Sequence, residues 1–159
     1  MPIRYRFAEL DDSSLVLKWR NDDSVRRYSR DQALIPTDVH ELWFAARIHK
    51  IRTEPMLIFS SDGVEIGFTR LDLIDLNAGV VEVSIVVSPG VRSKGFGSLM
   101  LKETIKVARG IPGVGEINAT VSINNLASLN LFMGSGFKVL DTDAEFKVMK
   151  LGLSEEISN

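Results

Sequence analysis

The sequence predicts an α/β fold: one mixed, mostly antiparallel central sheet with helices on both faces. Three observations predict it. The middle of the chain holds apolar strand-like runs separated by turn signals at Ser61-Asp62-Gly63 and near Asn77 to Gly79, the mark of antiparallel hairpins. The run Val80-Val81-Glu82-Val83-Ser84-Ile85-Val86-Val87 is β-branched and almost wholly apolar, as a central strand is. A helical period with a wide apolar arc follows at once, over residues 95–109.

The elements are read in order. Residues 3–8 alternate like a short strand. Asp11 or Asp12 is placed to cap a helix carrying Leu15, Val16 and Trp19, which Asn21-Asp22-Asp23 ends. A short helical piece is expected around residues 25–28. Pro36 sits near the next start, with Thr37 or Asp38 as cap and Leu42, Trp43, Ala46 and Ile48 as the apolar stripe. Strands are expected over residues 55–60, 64–73 and 79–87, the last stopped by Pro89-Gly90. In the helix at 95–109, Leu101, Ile105 and Ala108 form the buried centre, widened by Met100 and Val107. Lys102, Lys106 and Arg109 mark its solvent side. Gly110 and Pro112 stop it. A strand at 117–123, a helix at 126–133 and two closing strands near 137–141 and 145–151 complete the sheet. The polar tail from Ser154 is expected to fray.

The 159 residues suit one domain over 1–159, with its core at about 3–151. A formal charge of -2, from 19 basic and 21 acidic residues, argues against a general nucleic-acid binder. No cysteine is present, which removes disulfides and thiol nucleophiles. With only His40 and His49 and no ligand spacing, no metal site is expected. No apolar run is long enough to span a bilayer, and the start lacks a signal-peptide core. The expectation is a soluble cytoplasmic protein without membrane partners, of a composition that permits a homodimer.

The chemistry concentrates where the central strand meets the next helix, at Arg92-Ser93-Lys94-Gly95-Phe96-Gly97 and Ser98. Helix starts leave backbone N–H groups unpaired and carry partial positive charge. Glycines let a phosphate come close to those groups, and Arg92 and Lys94 add charge beside them. The segment lacks both the Gly-Lys-Ser/Thr ending of a P-loop and the three glycines of a dinucleotide fingerprint. A glycine-eased helix start packed on a strand is the plain structural alternative.

Arg92-x-x-Gly95-x-Gly97 resembles the Gln/Arg-x-x-Gly-x-Gly/Ala signature of the GNAT acetyltransferases. It follows a strand ending Ile85-Val86-Val87-Ser88-Pro89, as the family's does. Downstream, Asn125-x-x-Ser128-x-x-Leu131-Phe132 and Gly136-Phe137 resemble the family's second cofactor segment. The resemblance covers about residues 3–150. It implies acetyl-CoA as acyl donor, held where the strands at 80–87 and 117–123 splay apart. Backbone amides from Arg92 to Gly97 would hold the pyrophosphate. The backbone of Ile85, Val86 and Val87 would pair with the pantetheine arm, and Asn125 would contact it, on a segment that also carries Ser128 and Phe132.

An amine must be neutral to attack a thioester, and free amines have pKa values of about 8 to 10. A base therefore helps. Glu82 stands in an otherwise apolar strand, and burial favours a carboxylic acid's neutral form, which suits a base working near neutrality. Alternation puts Glu82, Ser84 and Val86 on one face, so Ser84 is placed to hold a relay water. The alternative is a solvent-facing or arginine-paired Glu82. Many family members carry a tyrosine, as acid for the leaving thiolate, where this chain has Phe132. Phenylalanine donates no proton, so the general acid is not identified.

For the acceptor, Trp19-Arg20-Asn21-Asp22 with the later His40-x-x-Trp43-Phe44 resembles acetyltransferases of amino-sugar-nucleotide pathways, of the pseudaminic-acid type, with Arg20, Arg26 and Arg27 as a source of positive charge. Trp19, Arg20, Asn21, Tyr28, His40 and Trp43 are the expected substrate contacts. Aromatic faces suit sugar and uracil rings, and arginines suit a diphosphate. Two other readings stay open: a ribosomal-protein-type N-terminal acetyltransferase, and a domain that binds acyl-CoA without turning it over.

Overall fold

The computed structural model describes residues 2–153. The tail expected to fray from Ser154 lies outside the described residues. Seven strands form one sheet: β1 (Arg4–Phe7), β2 (Met56–Ser61), β3 (Val64–Asp75), β4 (Val80–Val87), β5 (Glu116–Ser122), β6 (Lys138–Thr142) and β7 (Phe146–Gly152). Their spatial order is β1-β2-β3-β4-β5-β7-β6, which makes β4 the middle strand. All neighbours are antiparallel except β4 and β5. The β2–β3 turn places Asp62 at φ 51° and Gly63 at φ 77°, the paired positive angles that Asp-Gly accommodates.

Five helices cover the sheet: α1 (Ser13–Arg20), α2 (Asp23–Arg26), α3 (Thr37–Ile48), α4 (Phe96–Arg109) and α5 (Leu126–Gly134). One face of β4 buries Val81 and Val83 against Leu101, Ile105 and Ala108 of α4 and Leu129 of α5. The other face belongs to α1 and α3, where Val16, Trp19 and Phe44 pack on Ile58 and Phe68. The α4 stripe of Met100, Leu101, Ile105 and Ala108 is buried, as its period requires. Among the described residues, no helix is long and apolar enough to cross a membrane.

Four local expectations are corrected. In α3, Leu42 is 77% exposed and Ala46 is also outside, while His40, Phe44 and Arg47 turn inward. Polar side chains can take that face because both are hydrogen-bonded there, His40 to Ser13 and Arg47 to Glu54 and Leu71. The α3 start has Pro36, not Thr37 or Asp38, in the capping position. Asp12 precedes α1 without capping it; its carboxylate instead takes two bonds from Arg6, 2.7 and 2.8 Å, and one from the Glu9 N–H. The helical piece expected at 25–28 begins earlier, because Asp22 caps it through the Ser24 N–H at 2.9 Å.

One glycine fixes how closely β3 approaches the end of β4. Gly67 lies at φ 153°, and a Cβ there would stand 2.1 Å from the Val86 carbonyl oxygen. Any other residue would push β4 away at the point where the site begins.

Candidate active site

β4 and β5 pair only between Val80–Glu82 and Glu116–Asn118, then part. The parting leaves the edge of β4 uncovered at Ile85 and Val87. The Ser88 N–H donates to the Ile66 carbonyl of β3 at 2.8 Å. Backbone groups alternate along a strand, so Ile85 and Val87 turn theirs into the gap and Val86 turns its own toward β3. Val86 therefore does not present the cofactor-facing backbone expected of it; its side chain packs toward α1 and α3. The Val87 carbonyl already accepts the Arg92 Nε at 3.1 Å.

The loop beyond β4 is bent by two residues of positive φ, Ser93 at 65° and Gly95 at 80°. Gly95 then occupies the capping position of α4. The first N–H groups of this 14-residue helix and its positive dipole end open on the loop. Phe96 is 4% exposed, so its ring anchors the helix start and only its backbone faces a ligand. Ser98 and Lys94 are exposed. A Cβ on Gly97 would meet Leu131 Cδ2 at 3.4 Å and Val87 Cγ2 at 3.7 Å. The helix start, α5 and the end of β4 converge there, leaving little room for a side chain. The Arg92 guanidinium reaches to the Val87 carbonyl at the end of β4 and to Ser24 Oγ, 2.6 Å away.

Asn125 opens α5, its Oδ1 accepting the Ser128 N–H at 3.2 Å. Its carboxamide nitrogen is the part left to meet a ligand. Phe132 is a correction: it is 3% exposed and edge-on to Phe137, with ring centroids 5.0 Å apart. The position belongs to the core, not to the wall of the cleft.

The opposite face of the splayed strands carries a polar lattice. Cross-strand register aligns Asp72, Glu82 and Asn118 in one row, with Arg70 opposite Ser84 in the next. Glu82 Oε2 accepts the Thr120 hydroxyl at 3.0 Å. Asp72 pairs with Arg47 and lies 3.4 Å from Arg70 Nε. Above the lattice, Trp43 holds Arg20 at 4.2 Å and Arg70 at 5.0 Å from its ring centroid. Burial, then the nearby charge of Arg70, pulls the Arg20 guanidinium down to about 10.

The expected substrate contacts divide. Arg20 and Trp43 line this face. His40 is fully buried: its Nδ1 lies 3.0 Å from Arg20 Nη1 and its Nε2 is 2.9 Å from the Ser13 carbonyl. A guanidinium only donates and a carbonyl only accepts, so His40 is neutral with its proton on Nε2. It orients Arg20 and cannot reach a substrate. Trp19 is 4% exposed and stacks on Phe68 in the core, so it is no contact either. Asn21 spends its carboxamide on both backbone groups of Ile35, at 2.8 and 3.0 Å. Tyr28 is half-buried beyond α2. Arg70, Asp72, Asn118 and Thr120 escaped the sequence reading. Each is a polar residue at an inward period-two position, but only the strand register shows that they share a face with Glu82.

A parted strand pair, a glycine-bent loop and an exposed helix start thus meet at the end of β4, with a separate polar face on the other side of the strands. The model of the acetyltransferase (GNAT) domain matches residues 3–138, and the chain belongs to the GNAT acetyltransferases. It is 25% identical over 142 residues to the acetyltransferase PseH of Campylobacter jejuni, covering 88% of this chain and 87% of that one. The structure of yncA, a putative acetyltransferase from Salmonella typhimurium with its cofactor acetyl-CoA, superposes with a TM-score of 0.81. It is 24% identical and covers 100% of this chain and 98% of that one. A spermidine N-acetyltransferase from Vibrio cholerae, in complex with CoA and spermine, gives a TM-score of 0.83 at 19% identity, with 96% of each chain covered. This chain is an acetyl-CoA-dependent N-acetyltransferase.

Proposed function

We propose that the acceptor is the primary amine of a nucleotide-linked amino sugar. The observation that carries this reading is the Arg20–Trp43–Arg70 group. Two guanidiniums crowd one indole, and Arg20 hydrogen-bonds to neutral His40 rather than to a carboxylate. Like charges in partial burial repel, and an anionic diphosphate between them relieves that repulsion. The indole face adds a surface for a sugar or base ring. The similarity to PseH points the same way. A polyamine or a protein N-terminus, both cationic, would meet the same excess of positive charge unfavourably.

Glu82 takes one proton from the ammonium, Ser84 sits one strand position along the same face, and the amine then accepts the acetyl group from the thioester. The cofactor would lie on the backbone of Ile85 and Val87 and on the loop from Arg92 to Ser98, with Asn125 and Ser128 across the cleft. Bound there, acetyl-CoA supplies an activated acetyl group.

The test is CoA release from acetyl-CoA against a panel of UDP-linked amino sugars, N-terminal peptides and polyamines. The amino-sugar nucleotide should give the highest kcat/KM, and Arg70→Ala should raise its KM at least tenfold. Faster turnover of a peptide or polyamine overturns the reading.

A further inference from the structure

Among the described residues, two buried side-chain atoms lack a hydrogen-bond partner: Arg70 Nε and Asn118 Oδ1. Buried polar groups are paired as a rule, and each exception calls for a cause. Both lie in the polar lattice beside the strand gap. Arg70 Nε retains an ion-pair contact with Asp72 at 3.4 Å. Asn118 Oδ1 has nothing.

The lattice also shows which acceptor atoms remain. Asp72 is spent on Arg47 and Arg70. Glu82 gives Oε2 to Thr120 and keeps Oε1. Glu82 and Asn118 are register partners on adjacent parallel strands, just where pairing stops. Adjacent strands lie roughly 4.8 Å apart. Two unfilled acceptors carried on the same face of adjacent strands suit a group that donates more than one N–H. An ammonium is such a group, and the two oxygens can share it.

We propose that Asn118 is a substrate-contacting residue whose Oδ1 holds one N–H of the acceptor amine. The inference rests on the acyl-acceptor reading of this face, but on the amine alone and not on the sugar. The ammonium arrives with three N–H bonds. One proton passes to Glu82, leaving a neutral amine and a protonated carboxyl. A second N–H stays on Asn118 Oδ1, which fixes the nitrogen's orientation. The lone pair then points at the thioester carbon; the C–N bond forms and the C–S bond breaks. The sulfur leaves with the electron pair of that bond, and the nitrogen's surplus proton balances the CoA thiolate formed. Asn118 also carries an unpaired acceptor at the expense of stability, a cost that a purely structural residue has no reason to keep.

The test compares Asn118→Leu and Asn118→Asp with the wild type, using whichever panel amine the wild type acetylates fastest. If that amine is not an amino sugar, the acceptor assignment above falls while this test proceeds unchanged. Asn118→Leu should raise the acceptor KM by about 10- to 100-fold, the range of one hydrogen bond to a charged group. Its acetyl-CoA Kd should stay within about twofold, and its Tm should hold or rise, since an unpaired buried oxygen is gone. Asn118→Asp keeps an acceptor oxygen and should bind the amine better than Leu does. Its second carboxylate beside Glu82 should move the rising limb of the pH–rate profile to higher pH. An unchanged KM in Asn118→Leu overturns the proposal. A joint fall in Tm, CoA affinity and turnover also overturns it, since that marks a structural residue. Should the Leu variant not fold, an Asp variant with wild-type KM and pH profile overturns it as well.

Discussion

Arg92 Nη1 stands 2.6 Å from Ser24 Oγ, and this contact ties the loop between β4 and α4 to α2. The same guanidinium donates from Nε to the Val87 carbonyl at the open edge of β4. Ser24 donates its own hydroxyl hydrogen bond to Asp22, whose carboxyl is held below the usual aspartate range by the Ser24 hydroxyl and N–H. A continuous path therefore runs from Asp22 through Ser24 and Arg92 to the end of β4. Ser24→Ala cuts it without touching the loop backbone. The expected result is an acceptor KM raised roughly threefold to tenfold, as for one exposed charge-assisted bond, with the acetyl-CoA Kd unchanged by calorimetry. Equal weakening of both ligands would mean that Arg92 serves the loop alone.

Arg47 should be the costliest single truncation on the acceptor side. It is 6% exposed, bonds the carbonyls of Leu71 at 2.6 Å and Glu54 at 3.1 Å, and pairs with Asp72. Arg47→Met keeps the bulk but strands a partly buried carboxylate and two carbonyls. Breaking such a pair costs about 3–5 kcal/mol. In thermal unfolding this should appear as a Tm drop on the order of 10 °C. A drop under about 2 °C would show that α3 is held by Phe44 and its apolar neighbours alone.

The elements were legible because their signals are local. Asp62-Gly63 names its turn, and the arc of Leu101, Ile105 and Ala108 names its face. The bent loop between β4 and α4 was legible for the same reason, since a strand end, two glycines and a helix start are contiguous. The acceptor face was not. Trp19 and Trp43 both sit on helical stripes, yet one is core and the other borders the site. That difference depends on what α1 and α3 meet across the sheet. His40 was expected to touch the substrate, but it is buried, with Arg20 and Ser13 satisfying both ring nitrogens. Arg70 and Asn118 stand far apart in sequence and meet only through the register of β3, β4 and β5.

His40 makes stability depend on mildly acid pH. Burial, then the like positive charge of Arg20, depresses its pKa below the ordinary 6.5. The native state therefore binds fewer protons than the unfolded chain, and stability falls as pH drops from 6.5 through the lower native value. Protonation also forces two donors, Nδ1–H and Arg20 Nη1, to face each other. His40→Gln removes the titration. Between pH 7 and pH 5 the wild type should lose more stability in urea than the variant does. Identical pH slopes would mean that His40 binds its proton equally in the folded and unfolded chain, and that its burial does not shift its titration.

Glu82→Gln separates a base from a scaffold residue. Glutamine keeps an oxygen for the Thr120 hydroxyl, so the contact at 3.0 Å can persist and acetyl-CoA affinity should be unchanged. What is lost is the proton acceptor. General-base contributions run to about 10²–10⁴-fold, so kcat should fall by that order near pH 7. The loss has a direction with pH. An α-amino-type acceptor with a pKa of about 8 is deprotonated by solvent above that value and then needs no base. The ratio of wild-type to variant kcat/KM should therefore be largest at pH 6 and shrink toward pH 9.5. A ratio that stays constant across this range would place Glu82 in the lattice as a structural partner of Thr120 and Arg70, and the proton would have to leave by another route.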